Sequence, residues 1–310
     1  MYYIGIDVGG TSIKAGRIDE DGNITKRAQV PTAANRPGTE IGDTIARLAK
    51  EVAEGADGEI ASCGIGIPGI CDDKNGVVLA AANLNFDNFP LRAVVENALS
   101  LPVYIGNDAN CAALGEYTRL PEPVDNMIMV TLGTGIGGGL VLGGRLYTGT
   151  DGLAGEVGHI LLHRGGEKCG CGRFGCWEAY ASTSALIRRT KAYALANPKS
   201  AVRKACGEDF SVLSGRTAFS LYKEGDAGGS AIVEAWTDDV AAGLADLVHI
   251  FQPALILIGG GISGEGEALL APVRRKMEKE LYSCLLPKPE IRAAALGNDA
   301  GLIGAAFLGK

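Results

Sequence analysis

Five residues of metal-binding type fall in one short stretch. In "GEVGHILLHRGGEKCGCGRFGCWE" (155–178), Cys169, Cys171 and Cys176 lie within eight residues, and His159 and His163 come shortly before them. Three thiolates and one imidazole make a closed tetrahedral zinc site, which is structural because no position is left open for water. The five glycines between Gly165 and Gly175 let the loop wrap an ion. If the first part is a strand, positions 159, 161 and 163 share a face, so spacing does not choose between the two histidines. Cys63, Cys71, Cys111, Cys206 and Cys284 are scattered and read as small buried hydrophobes.

A second chemistry is phosphate binding. "DVGGTS" (7–12) and "GTGIGGG" (133–139) are glycine turns between apolar, β-branched stretches. Gly9 and Gly10 let backbone N–H groups converge on a phosphate, and Thr11 and Ser12 add hydroxyl donors. Asp7, at the end of the preceding run, is placed to orient a hydrated magnesium ion. The second turn, with Gly133, Thr134 and Gly135, repeats the donors without the carboxylate and is expected to hold phosphate alone. "IGGGIS", with Gly260 and Gly261, is a third such loop.

The pattern G-x-G-x-x-G occurs at 64–69, 133–138 and 259–264, so it means little in a chain with 46 Gly. The first two matches run into extended sequence, and the third lies too near the C-terminus to open a dinucleotide fold. No G-x-x-x-x-G-K-[ST] occurs. Two matched turns plus the third loop favour a nucleotide site over turns that serve the backbone alone.

"GNDA" occurs twice, at 106–109 and 297–300, each time between a short apolar run and a small-residue helical pattern. Asp108 and Asp299 therefore stand where an aspartate is either a helix cap or a catalytic base. Asn107 is itself a capable cap, which releases Asp108 for other work.

These groups need rigid elements behind them. Residues 2–19 and 127–147 each read strand, glycine turn, strand. Each is followed much later by a GNDA junction. That is an internal duplication of a hairpin-to-helix domain with an insertion in the second copy, and two such domains facing one another form a cleft. Residues 40–56 are amphipathic at helical spacing and precede a strand-like 62–69. A long helix over 230–252 precedes a strand over 254–261. The polar, largely helical 186–228 reads as the variable part of the insertion. The last helix, "DAGLIGAAFLG", is expected to pack back against the first domain.

The 310 residues suit two domains. A net charge of -7 without a basic block argues against a nucleic-acid partner. An anionic substrate would need local cations, a metal or helix N-termini. "MYYIGIDVGG" has no basic n-region or cleavage pattern, and the longest apolar run, "ALILIGGGI", is short and glycine-broken. No membrane partner and a cytoplasmic location are therefore expected.

Together "IGIDVGGTSIKAG", "GIGIPG", "NDANCAALGE", "TLGTGIGGG", "GEVGHI" and "CGCGRFGCWE" resemble the ROK family (repressors, open reading frames and kinases) of the actin-like, hexokinase-type ATPases. The resemblance runs over nearly the whole chain in the right order. It implies an α/β fold of two ribonuclease-H-like domains, 1–118 plus 296–310 and 119–295, with ATP and a sugar in the interdomain cleft. It implies Mg2+-dependent transfer of the ATP γ-phosphoryl to a hexose 6-hydroxyl, with Asp108 as general base. Glucose is the first choice of sugar and N-acetylmannosamine the second.

The same resemblance selects His159 over His163 as the fourth zinc ligand beside Cys169, Cys171 and Cys176. It also assigns sugar contacts to Glu156, His159 and Glu178, with Gly69, Asn83, Asn107 and Asp108 from the first domain. Glu116 joins Asn107 as a sugar-side neighbour of Asp108, and Asp299 is left as a cap. One departure stands out: the family often has Pro-Asn-Leu followed by Trp, whereas "ANLNF" supplies Ala82 and Phe86. Homodimers or homotetramers are usual in the family. Its sugar-sensing regulators carry a helix-turn-helix ahead of the first hairpin, which here begins at residue 2, so a kinase is expected.

Overall fold

The first hairpin forms because β-branched and apolar residues alternate on either side of a glycine pair. In the computed structural model, which describes residues 1–81, 84–285 and 287–310, β1 (Tyr2–Val8) pairs antiparallel with β2 (Ser12–Asp19). Val8 stands opposite Ile13, leaving Gly9, Gly10 and Thr11 as the turn. Next come β3 (Ile24–Pro31), α1 (Gly38–Ala53) and β4 (Ile60–Ile67). A small sheet of β5 (Ile70–Asp72), β6 (Val77–Ala80) and β7 (Asp87–Phe89) leads to α2 (Leu91–Leu99). Finally β8 (Val103–Asn107) runs directly into α3 (Asp108–Thr118). The main sheet has the order β3-β2-β1-β4-β8, with β4 parallel to both β1 and β8.

The plan then repeats. β9 (Met127–Leu132), β10 (Ile136–Leu142) and β11 (Arg145–Leu146) are followed by the cysteine loop. The helices α4 (Glu178–Ala181), α5 (Thr183–Ala196), α6 (Ala201–Ala205), α7 (Gly215–Lys223) and α8 (Ala227–Phe251) come next. They are followed by β12 (Leu255–Gly259), α9 (Glu267–Glu280), β13 (Glu290–Ala293) and α10 (Ala300–Ala306). The sheet order β11-β10-β9-β12-β13 matches the first sheet strand for strand. In it β12 is parallel to β9 and β13, as β4 is to β1 and β8.

Two compact units result: Met1–Asp125 with Gly139–Gly155 and Ala295–Lys310, and Asn126–Gly138 with Glu156–Ala294. The expected division, 1–118 plus 296–310 and 119–295, differs from these in that 119–125, Gly139–Gly155 and Ala295 group with the first unit. The reason is local bonding: Gly144 donates to the Asp125 carbonyl (2.8 Å), Thr148 to Asp73 (3.3 Å) and Lys74 to the Thr150 carbonyl (2.5 Å).

Glycine content has a packing role here. A Cβ at Gly64 would stand 1.7 Å from the Ala305 carbonyl oxygen, and one at Gly304 would stand 1.7 Å from that of Cys111. The last helix can lie against β4 and α3 only because both surfaces lack side chains there. In the second unit, Trp177 is fully buried with its indole N–H on the Asp239 carbonyl (2.8 Å). Trp236 is equally buried and donates to the Ser182 carbonyl (3.1 Å). Truncating either indole would cost about 3–5 kcal/mol. These two anchors fix the segment around α4 on α8.

Candidate functional site

At the first GNDA junction the helix cap is Asn107. Its side-chain oxygen accepts from the N–H groups of Ala109 (2.9 Å) and Asn110 (3.3 Å), and its amide donates to the Gly69 carbonyl (3.3 Å). Gly69 has φ +129 and a Cβ there would meet the Ala80 oxygen at 2.3 Å, so only glycine fits this turn beside Asn107. Asp108 is half-buried in the first turn of α3, with one oxygen on the Ala109 N–H (2.9 Å). Its charge reaches two buried thiols. Burial first, and then Asp108, push Cys71 up to about 12, and the same causes in the same order raise Cys111.

Glu116 departs from its expected place. It is buried and accepts from the N–H groups of Ala295 (3.0 Å) and Leu296 (2.7 Å), so it anchors the C-terminal segment rather than facing a sugar. Asn83 and Ala82 lie outside the described residues. Phe86 is buried and packs on Phe89 at 5.1 Å.

The first glycine turn is held by Thr32. This fully buried residue donates its N–H to the Thr11 carbonyl (2.9 Å) and its hydroxyl to that of Gly9 (2.5 Å). The Gly9 N–H, expected to face a phosphate, instead donates to the Ser12 carbonyl (3.0 Å), so Gly10 and Thr11 form the tip of the turn. Asp7 stands directly opposite Lys14 in the β1–β2 ladder, and their charges meet at 3.3 Å. Lys14 also donates to the Asn298 carbonyl (3.4 Å). The sequence reading missed Lys14, although strand alternation already paired it with Asp7.

The second turn is held in the same manner. Thr183 donates its N–H to the Gly133 carbonyl (2.9 Å) and its hydroxyl to that of Leu132 (3.1 Å). Gly133, Thr134 and Gly261 line a cavity of about 270 Å³ together with Thr183, Arg216 and Ile262. Gly260, at φ +84, packs against Leu132, where a Cβ would meet its carbonyl oxygen at 2.3 Å. Thr183 and Arg216 escaped the sequence reading because their partners are distant in the chain.

The metal candidates converge. Ligand atoms of His159, Cys169, Cys171 and Cys176 all lie within 4.8 Å of one another. Cys171 and Cys176 sulfurs are 3.7 Å apart, as are Cys169 Sγ and His159 Nδ1. A tetrahedral site with Zn–S near 2.3 Å places its sulfurs about 3.8 Å apart, so the donor set fits zinc. Burial pushes the Cys169 thiol up to about 12 and raises Cys176, while a hydrogen bond from the Arg173 backbone lowers Cys171. Buried thiols of this kind ionise when a cation is beside them.

His163 is separate from this group. Its Nε2 is 3.4 Å from Asp239, and its ring stands edge-on to Tyr180 at 4.6 Å. The strand that would put positions 159, 161 and 163 on one face does not begin at His159. Val157–His159 is a 3₁₀ turn, because Gly158 is pressed onto β10, where a Cβ would meet the Ile136 oxygen at 2.4 Å. That turn points His159 at the cysteines, with its Nε2 4.0 Å from Glu156. Glu178 touches both sides: one oxygen accepts from the Ile136 N–H (2.9 Å), the other from Cys169 Sγ (3.3 Å).

The sequence model of the ROK family matches residues 3–310. The chain belongs to the ROK family. Among its ROK relatives, the glucokinase of Streptomyces coelicolor is 39% identical over 99% of this chain and 97% of its own. The N-acetylmannosamine kinase of Salmonella typhi is 33% identical over 100% and 99% respectively. A ROK family glucokinase from Streptomyces griseus, solved in complex with glucose and AMPPNP, is 40% identical with a TM-score of 0.82 and 99% of both chains covered. The two matched halves of this ROK chain are those of the actin-like ATPase fold. No helix among the described residues is long and apolar enough to cross a membrane.

Proposed function

We propose that this ROK protein is a glucokinase that transfers the γ-phosphoryl of ATP to the 6-hydroxyl of glucose. It is an ATP-dependent sugar kinase, and the observation that carries the mechanism is the division of labour at the first GNDA junction. Asn107 satisfies the helix terminus with its own oxygen, so Asp108 is not needed as the cap. A carboxylate in that first turn takes the hydroxyl proton as the new P–O bond forms, while Asn107 and the Gly69 turn orient the sugar beside it.

The Gly9 and Gly133 N–H groups close their turns onto the Ser12 and Gly135 carbonyls, and the N–H groups of Gly10 and Thr11 and of Thr134 and Gly135 are the ones directed at phosphate. Lys14 supplies the local cation that an acidic chain needs for an anionic substrate. The cavity beside Thr134 and Arg216 takes the nucleoside. Magnesium, when bound through water near Asp7, neutralises charge on the phosphates. Zinc held by His159, Cys169, Cys171 and Cys176 fixes the loop from which Glu156, His159 and Glu178 reach the sugar hydroxyls. The chain is expected to act in the cytoplasm as a homodimer or homotetramer.

The test is a coupled ADP-release assay over hexoses and N-acetylhexosamines, with light scattering for the assembly. Glucose should give the highest kcat/KM. A preference for N-acetylmannosamine, the substrate named for the Salmonella relative, would replace the sugar while keeping the reaction. Turnover with no sugar would overturn both.

A further inference from the structure

We propose that the cysteine loop governs nucleotide affinity through two positioning residues, Glu178 and Thr183, which clamp the second glycine turn from both ends. The inference rests on the reading of that turn as a phosphate site.

The turn between β9 and β10 runs from Leu132 to Ile136. At its far end, the Ile136 N–H donates to Glu178 Oε2 at 2.9 Å. At its near end, Thr183 takes the Leu132 carbonyl with its hydroxyl (3.1 Å) and the Gly133 carbonyl with its N–H (2.9 Å). Gly135 is pressed so closely on the same carboxylate that a Cβ would stand 2.3 Å from Glu178 Oε2. Besides the turn's own bond from the Gly133 N–H to the Gly135 carbonyl (3.0 Å), three hydrogen bonds and one steric contact hold it, and these come from residues 178 and 183.

Those two residues flank α4, which follows the metal loop without a break. Cys176 is fully buried, and Trp177 follows it with its indole on Asp239. The other oxygen of Glu178 accepts from Cys169 Sγ at 3.3 Å. The ladder continues on the far side, where Ser182 caps α5 by accepting from Ala185 (3.1 Å) and its carbonyl holds Trp236. The carboxylate of Glu178 therefore has one oxygen on a metal-ligand sulfur and the other on the phosphate turn. A cation held by the sulfurs would tie down both cysteines on which Glu178 depends, Cys169 at its Oε1 and Cys176 two residues before it. The position of Glu178, and with it the Ile136 N–H, then depends on whether the loop is loaded.

The test measures binding of a non-hydrolysable ATP analogue by calorimetry with no sugar present, so contacts to sugar make no contribution. Metal-loaded wild type should bind the analogue. Stripping the metal and substituting Glu178→Ala should each weaken binding about tenfold, the effect of losing a hydrogen bond to a charged group. Because both act through one clamp, the two losses together should not exceed either alone. Thr183→Ala should weaken binding severalfold at unchanged metal content, and Thr183→Ser should restore it. Circular dichroism and metal analysis on each variant establish that it is folded and loaded. Unchanged analogue affinity after stripping, or additive losses, would overturn the clamp while leaving the kinase intact. If loaded wild type binds no analogue, the turn is not a phosphate site and the clamp falls with it.

Discussion

Arg27 holds the carboxylate of Asp299 at both oxygens, Nη1 to Oδ1 at 2.6 Å and Nη2 to Oδ2 at 2.7 Å. This paired geometry separates the two GNDA junctions, which look alike in sequence. Asp299 opens α10 but makes no side-chain cap; its acceptors are spent on a guanidinium from β3. At the other junction Asn107 makes the cap, its side-chain oxygen accepting from the Ala109 and Asn110 N–H groups. Duplication explains why there are two junctions, and their partners explain why they differ.

The ion pair sets an acid limit on stability. The Arg27 hydrogen bond holds Asp299 below its ordinary value of 3.8. A carboxyl with a lowered folded value stabilises the protein above pH 3.8, and that contribution is lost as pH falls through the folded value. Urea denaturation of wild type and Asp299→Asn should therefore show a gap at pH 5 that closes toward pH 2. Both groups are partly exposed, so the gap should also shrink in high salt. A constant gap across that range would remove the pair as its cause.

Asp108→Asn tests the base directly. The amide keeps the size of the side chain but cannot take a proton, so kcat should fall by roughly 10²–10⁴-fold. Sugar affinity, measured by calorimetry, should stay within about threefold, since Asn107 and Gly69 keep their bond. Near-normal turnover would return Asp108 to the role of a helix-terminus residue.

What was legible in the sequence was what local spacing encodes. The glycine turns announced themselves by β-branched flanks, and the cysteines by their crowding. Sheet order could be anticipated only through the duplication. Glu116 was misplaced because its partners, Ala295 and Leu296, are 179 and 180 residues away in the chain. Thr32 and Thr183 were invisible for the same reason, as each grips a turn from another element. Spacing left His159 and His163 undecided; what separates them is the 3₁₀ turn at Val157–His159, where Gly158 meets Ile136, a contact outside the segment.

Close packing of α10 gives a second stability test. Gly304→Ala would force a methyl group to within 1.7 Å of the Cys111 carbonyl, which is backbone and cannot rotate away. Overpacking of this kind costs about 1–3 kcal/mol or more. A clear drop in Tm is expected by calorimetry, whereas Gly10→Ala, where a Cβ meets nothing within 4 Å, should leave Tm nearly unchanged. Equal melting of both variants would contradict the contact.

Thr32→Val exchanges a hydroxyl for a methyl group at a fully buried site and leaves the Gly9 carbonyl without its donor. The loss should be about 1–3 kcal/mol in urea unfolding, and KM for ATP should rise while KM for sugar holds. Thr32→Ser keeps the hydroxyl and should recover ATP affinity. If valine is tolerated with normal KM for ATP, the first turn does not depend on this clamp.

Metal removal is the last test, and its logic follows from the thiols. Cys169 and Cys176 are held protonated by burial, so binding a cation there must release protons, and affinity should fall as pH is lowered. Because the four ligands all come from residues 159–176, the ion's binding energy adds to the folding energy of that loop. A chelator should lower Tm, zinc should restore it, and elemental analysis should find one metal ion per chain. Cys171→Ser should abolish both the metal and the chelator effect, whereas Cys284→Ser, at an exposed cysteine outside the cluster, should change neither. A chain that contains no metal and melts identically with and without chelator would show that the four side chains converge for packing alone.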